Sequence, residues 1–305
     1  MNEPILFATK KYDYLKNELL ATNQYIKGDL VEKKFSDGES YTQIITSLSQ
    51  KNIILIGGTI SEEDTMELYD LASGIIQLGA HSLKIVIPYF GYSTMERATK
   101  AGEVVKAKIR ATLLSSIPSG SVSNHFILMD LHAEGIPYYF EKNVHCYHLY
   151  CKNEIMKICK NLCGNDFILA STDAGRAKWV ESLANEMKVN SAYVYKKRLS
   201  GEDTVITGVN ADVKDKNVII YDDMIRTGSS LIKAAEVYKQ AQAKDIYAVA
   251  THGLFTNQAI ENIKTCGMIQ KIVCMNTHPN SITLQDSFVD VVSVAQMVQE
   301  RLKTI

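Results

Sequence analysis

The chain lacks most of what would take it out of the ordinary globular class. Its six cysteines include no Cys-x-x-Cys pair, and no further ligands gather near Cys159 and Cys163 in sequence. Buried thiols in a reducing compartment are therefore the reading, rather than a zinc or disulfide framework. No uninterrupted apolar run approaches the roughly 20 residues that a membrane-spanning helix needs. The opening residues, Met1 to Phe7, lack the basic and then long apolar build of a signal peptide, so a cytoplasmic location is expected. No charge of one sign dominates: 33 Lys and Arg balance 34 Asp and Glu, for a net charge of −1. A basic stripe suited to nucleic acid is absent. There is also no low-complexity linker, although 305 residues are long for one domain and comfortable for two.

What is present centres on residues 218–231. Val218, Ile219, Ile220 and Tyr221 form a short apolar run that reads as a strand buried on both faces. Asp222 and Asp223 stand where that strand should end. Thr227, Gly228, Ser229 and Ser230 make a small-residue turn, and Leu231, Ala234, Ala235 and Tyr238 then recur at helical spacing. A strand, a hydroxyl-rich turn and a helix N-terminus make an anion site, because free backbone N–H groups and the helix dipole favour a phosphate. The adjacent carboxylates are suited to accept hydrogen bonds from a vicinal diol such as that of ribose. The plain alternative is an N-capped helix following a strand with two exposed acids.

Strands and helices alternate along the rest of the chain. Strands are expected at Ile5–Ala8, Tyr41–Ile45, Ile53–Gly57, Leu83–Pro88 and Phe126–Met129. Ser61 and Asp64 form a capping-box-like start to a helix that Gly79 closes. A second helix opens at Gly102-Glu103. From about Cys146 the pattern starts over, with a helix over 149–162, a strand at Phe167–Ala170, a helix through Met187 and a strand at Ala192–Tyr195. Residues 196–203, charged and polar, read as a loop over a site. Strands at Ile246–Ala250, Ile272–Met275 and Val289–Val292, a helix near 257–263 and a terminal helix over 294–302 complete the chain. Such alternation means α/β architecture with mostly parallel sheets flanked by helices. Two domains are expected, residues 1–145 and 146–305, with the terminal helix free to pack back on the first.

Several short segments carry chemistry. Phe35-Ser36-Asp37-Gly38-Glu39 offers an aromatic face and two acceptors, able to stack on a base and accept from an exocyclic amine; an ordinary acidic hairpin is the alternative. Asp130-Leu131-His132-Ala133 follows a strand, so His132 should project from a strand's carboxyl end, where ligands collect in open α/β sheets. Asp173-Ala174-Gly175 follows another, and Lys196 and Arg198 lie in the charged segment beyond the next.

In this order the segments resemble those of the ribose-phosphate diphosphokinases (phosphoribosyl-diphosphate synthetases) across nearly the whole chain, and residues 222–230 resemble the sugar-phosphate loop of type I phosphoribosyltransferases. The resemblance implies two tandem phosphoribosyltransferase-like domains. It implies transfer of the diphosphoryl group of ATP to the anomeric hydroxyl of ribose 5-phosphate, for nucleotide biosynthesis. Mg²⁺ is the implied cofactor, ATP and ribose 5-phosphate the implied partners, and a homo-oligomer, dimeric or a dimer-based hexamer, the implied assembly. Phe35, Asp37, Glu39 and Arg97 would then face ATP. Asp222, Asp223, Thr227, Gly228, Ser229 and Ser230 would hold ribose 5-phosphate. Lys196, Arg198 and His132 are the implied catalytic residues, and His132 and Asp173 the implied metal ligands, Asp173 being the better match to the oxygen preference of magnesium.

The chain departs from the family pattern at five places. Thr94 and Met95 stand where an arginine and a glutamine of the ATP loop are usual, and Arg176 replaces a glycine beside Asp173. Trp179 occupies an often basic position, and Arg226 replaces a third acid. Three functions are consistent with this pattern. They are an active diphosphokinase, a non-catalytic paralogue that co-assembles with one, and a phosphoribosyltransferase that consumes the diphosphate sugar. The tandem domains and the Phe35–Glu39 segment argue against the last.

Overall fold

A computed structural model describes residues 3–141, 143–198 and 204–305, with the side chains of 196–198 and 204–207 left aside. The chain divides into two compact units, one of Met1–Tyr150 with Val294–Ile305 and one of Cys151–Ser293.

The first unit opens with strand β1 (Ile5–Ala8), helix α1 (Asp13–Leu20) and the short β2 (Ile26–Lys27). A hairpin follows, β3 (Leu30–Lys34) and β4 (Ser40–Ile44), paired antiparallel as a separate two-stranded sheet. Then come β5 (Asn52–Ile56), α2 (Glu62–Gln77), β6 (Ser82–Ile87), α3 (Lys106–Ser115), β7 (Asn124–Met129) and β8 (Val144–Leu149). The main sheet is parallel throughout in the order β2-β1-β5-β6-β7-β8. Leu68 and Ile75 of α2 and Leu114 of α3 share a core with Phe7, Leu55, Ile85 and Phe126. Burying such side chains contributes about 1.5–3 kcal/mol each. Ser61 caps α2 as expected, its side chain accepting from the Asp64 N–H.

Two boundaries in this unit differ from expectation. The carboxylate of Glu103 accepts from the backbone N–H groups of Thr99 and Lys100 at 2.7 and 3.1 Å. Those bonds commit 99–103 to a turn and delay α3 to Lys106. Residues 144–149, expected to lead into a helix, form β8 instead. His145 and Tyr147 lie across from His125 and Ile127 of β7, and this edge strand completes the sheet. The chain therefore divides after Tyr150, not after residue 145.

The second unit begins with α4 (Lys152–Cys163), which starts three residues later than expected because β8 precedes it. It continues with β9 (Ile168–Ser171), α5 (Ala177–Met187), β10 (Asn190–Arg198), β11 (Thr204–Val209), β12 (Val218–Ile225), α6 (Ser229–Gln240), β13 (Ile246–Gly253), α7 (Ala259–Cys266), β14 (Ile269–Met275), α8 (Pro279–Thr283) and β15 (Val289–Val292). Helix α9 (Ala295–Leu302) belongs to the first unit, where it lies against α1.

The second sheet runs β11-β10-β9-β12-β13-β14-β15, parallel except for β10 with β11. One face packs Ile220, Ala248 and Ile272 against Leu231, Ala235 and Tyr238 of α6 and Ile263 of α7. Each unit is thus a mostly parallel sheet flanked by helices, the fold class expected. Lys196–Arg198, read as loop, continue β10 in an antiparallel pairing with β11. Residues 199–203 lie outside the described ones. Burial pushes the Cys159 thiol up to about 12, in keeping with inert buried thiols. Among the described residues no helix is long and apolar enough to cross a membrane.

Candidate active site

In the second unit β9 and β12 are neighbours although a helix and two strands separate them in sequence, with Ser171 opposite Tyr221. The order reverses here, β10 lying on one side of β9 and β13 on the far side of β12. Ligands in open α/β sheets collect at the carboxyl ends of strands at such a switch point. The segments Thr172–Arg176 and Arg226–Ser230 leave those two strand ends side by side.

Asp222 and Asp223 do not follow β12 but lie inside it, since the strand continues to Ile225. Both main-chain groups of this extension stay in register with β13, whose Ala250 and His252 pair with Asp222 and Met224. Successive strand side chains point to opposite faces. Asp222 stands with Ile220 on the α6 side, where its Oδ2 accepts from the Thr172 hydroxyl at 3.1 Å. Asp223 stands with Tyr221 on the α5 side and is 3% exposed, with its Oδ2 at 2.7 Å from the Arg176 guanidinium.

Burial, and then the neighbouring Asp223 charge, push the Asp222 carboxyl up to about 7, while Arg176 and Thr172 oppose the shift. Two adjacent buried carboxylates cannot both ionise freely, so Asp222 holds its proton into the neutral range.

The turn beyond is set by Gly228, whose φ of +77° is left-handed. A Cβ there would lie 2.7 Å from Ile263 Cδ1, so only glycine fits without strain. The Leu254 and Phe255 N–H groups both donate to the Ile225 carbonyl and Thr256 N–H to that of Arg226, which ties the turn to the segment after β13. The hydroxyls of Thr227 and Ser229 lie 3.1 Å apart. Gly228 at the N-cap offers α6 no side-chain bond and the Ser229 N–H reaches the Thr227 hydroxyl at 3.5 Å, so the first turn opens toward the exposed Thr227, Ser229 and Ser230. Arg226 is exposed, its guanidinium 3.8 Å from the Met224 sulfur.

Asp173 is held by a tight local turn. Its Oδ1 accepts from Gly175 N–H at 2.8 Å, and its carbonyl accepts from the Ser171 hydroxyl at 2.6 Å. The buried Tyr238 hydroxyl donates in turn to the Ser171 carbonyl at 3.0 Å. Beneath the site, the buried His252 bonds Thr277 at 2.8 Å, and Thr277 donates to the Thr251 carbonyl at 2.8 Å.

Phe35, Asp37, Glu39, Arg97 and His132 lie in the first unit, on three separate segments. Phe35, Asp37 and Glu39 form the tip of the β3–β4 hairpin. Phe35 is 52% exposed and edge-on to Tyr41, with ring centroids 6.1 Å apart. Asp37 Oδ1 accepts from the Glu39 N–H at 3.0 Å, so this acid also closes its own turn. A cleft of about 670 Å³ lies between the hairpin and α2, lined among others by Lys34, Tyr41, Glu63 and Glu67.

Arg97 is 78% exposed and 3.4 Å from Glu96. Its segment, which leaves the end of β6, is fixed by Tyr92, whose hydroxyl donates to Glu62 Oε1 at 2.8 Å and whose ring lies under Lys106 and Arg110, each at 4.9 Å. His132 is exposed just past β7, following Asp130 at φ +40°. The side chains of Lys196 and Arg198 lie outside the described residues.

Family comparisons agree with this layout. Profiles described as the N-terminal domain of ribose phosphate pyrophosphokinase and the phosphoribosyl synthetase-associated domain match residues 4–117 and 169–305. A ribose-phosphate pyrophosphokinase of Gloeobacter violaceus is 31% identical over 278 residues, covering 90% of this chain and 82% of the relative. One from Pyrococcus furiosus is 32% identical over 251 residues, covering 82% and 86%. The chain belongs to the ribose-phosphate pyrophosphokinase family. The fold of a phosphoribosylpyrophosphate synthetase from Mycobacterium smegmatis matches with a TM-score of 0.89 at 20% identity, over 99% of this chain and 98% of that one.

In this member of the ribose-phosphate pyrophosphokinases three further residues gain their place at the site only from the tertiary structure. They are Thr172, whose hydroxyl reaches Asp222, and Arg176 and Trp179, whose partners Asp223 and Tyr221 are distant in sequence. As to a metal, the described residues contain no group of three or more His, Cys, Asp or Glu placed to hold one. Magnesium commonly takes one or two carboxylates and completes its shell from substrate phosphates and water. The half-buried carboxylate of Asp173, at the carboxyl end of β9, fits that lesser requirement.

Proposed function

We propose that this chain transfers the diphosphoryl group of MgATP to ribose 5-phosphate, giving 5-phosphoribosyl 1-diphosphate and AMP. The observation that carries the reading is the joined site at the ends of β9 and β12, in a chain that matches ribose-phosphate pyrophosphokinases over most of its length. Asp222 and Asp223 accept from the sugar hydroxyls, and Thr227, Gly228, Ser229 and Ser230 hold the 5-phosphate through hydroxyls and first-turn N–H groups. The sugar's anomeric oxygen attacks the β-phosphorus, the bond to the α-phosphate oxygen breaks, and AMP leaves.

Charge spreading over the transferring group calls for cations, which we assign to Lys196 and Arg198. Bound magnesium would neutralise phosphate charge, with Asp173 as an oxygen ligand and His132 beside the triphosphate. Phe35, Asp37, Glu39 and Arg97 are assigned to ATP. A cytoplasmic homo-oligomer completes the reading.

A coupled assay of AMP release with ribose 5-phosphate and MgATP tests it directly. AMP release that depends on both substrates is expected. Arg198→Ala should lower turnover at least roughly tenfold while changing the Michaelis constant for ATP little. If the wild type releases no AMP at saturating substrates yet binds ribose 5-phosphate, the chain is the non-catalytic paralogue.

A further inference from the structure

Two departures from the family pattern, Arg176 and Trp179, turn out to act on one strand. The Trp179 ring stacks on that of Tyr221, with centroids 4.4 Å apart and planes 18° from parallel. Helix α5 leaves the carboxyl end of β9 and runs back along the sheet, so a step of three residues into it matches a step of two back along β12. The two rises, about 4.5 Å and about 6.6 Å, are close enough for paired contacts. Trp179 meets Tyr221, and Arg176, at the helix start, meets Asp223 at 2.7 Å. The carboxylate side chain is 4% exposed and the arginine 20%. Asp222 lies next in the chain, and even with its proton retained it leaves the charge of Asp223 to be offset.

Buried adjacent acids call for a cation. At a sugar-phosphate site that cation is ordinarily available from solution as a divalent metal ion. Here the Arg176 guanidinium, 2.7 Å from the Asp223 carboxylate, holds the place. A metal ion approaching Asp223 would meet like charge and would have to break the ion pair.

We propose that Arg176 neutralises the Asp222–Asp223 pair in place of a divalent cation, so that ribose 5-phosphate docks on this chain without a metal ion at the diol. The inference rests on the reading of residues 222–230 as the ribose 5-phosphate site. It makes Arg176 a positioning residue acting through Asp223, and it leaves the magnesium that accompanies ATP a separate matter.

Calorimetry of ribose 5-phosphate binding to the full chain, with EDTA or with Mg²⁺, is the test. For the wild type the two affinities should agree within about threefold. Arg176→Gly should bind at least about tenfold more weakly in EDTA and recover with Mg²⁺, and direct titration should show Mg²⁺ binding more tightly to the variant than to the wild type. Arg176→Gln, which keeps most of the side-chain volume, should behave as the glycine variant does, and Arg176→Lys as the wild type does. Wild-type binding that depends on Mg²⁺ as strongly as that of Arg176→Gly overturns the proposal. So does tighter sugar binding by Arg176→Gly in EDTA, since the guanidinium would then be a competitor. Absence of ribose 5-phosphate binding by every form in both buffers removes the site assignment itself.

Discussion

The hairpin tip of the first unit and the acid-bearing strand of the second are built from similar residues and differ in nearly everything else. Each presents two carboxylates close in sequence, Asp37 with Glu39 and Asp222 with Asp223. On the hairpin they stand in water: Phe35, Asp37 and Glu39 are exposed, and Asp37 closes its turn with the Glu39 N–H. On β12 the ladder to β13 holds the backbone, Thr172 and Arg176 hold the side chains, and burial moves a titration into the neutral range. Electrostatics that water screens at one place become strong at the other. A site for a sugar diol can be preformed, whereas a stacking edge for a base can stay open until the base arrives.

The largest expected effect comes from removing the buried partner. Asp223→Ala leaves Arg176 facing a dry strand end and should cost about 3 kcal/mol of stability, the low end for a broken buried pair because Arg176 keeps a fifth of its surface in water. Ribose 5-phosphate binding should fall by roughly tenfold or more, one charge-assisted hydrogen bond being lost. Chemical denaturation and calorimetry check the two parts. Unchanged affinity would mean that β12 is no more a sugar site than the hairpin is.

A pH series sharpens the contrast. In the folded protein Asp222 keeps its proton up to about pH 7, whereas in the unfolded chain it loses it near the ordinary carboxylate value of about 4. Between those values the folded state holds more protons, so stability should fall as pH rises through the window and level off above about 7. The change is at most about 4 kcal/mol, three pH units at about 1.4 kcal/mol each. Asp222→Asn should flatten this slope, while Asp37→Asn should leave it in place. Unfolding midpoints at a series of pH values read both.

Phe35→Ala should be the mildest. Its ring is half exposed and touches chiefly Tyr41, so stability should change by less than about 0.5 kcal/mol. The Michaelis constant for ATP should nonetheless rise by roughly tenfold, as base stacking on one face is lost. A loss of stability comparable to that of Asp223→Ala would show that the tip is structural and not a nucleotide edge.

Local chemistry determined much of this in the sequence alone. The β-branched run from Val218, the left-handed Gly228 and the helical spacing from Leu231 lie within a few residues of one another, so strand, turn and helix are written together. The Ser61 cap and the alternation of strands with amphipathic helices are equally local, and they sufficed for the α/β class. What the sequence left open involves partners far apart along the chain. Strand β8 is short and of mixed polarity, and it is a strand because β7 offers it a free edge. Asp223 meets Arg176, and Trp179 meets Tyr221, only because the sheet places β9 beside β12 in an order that is not that of the chain. The raised carboxyl of Asp222 has the same origin: a pKa is set by burial and by neighbouring charge, and both exist only once the sheet has closed.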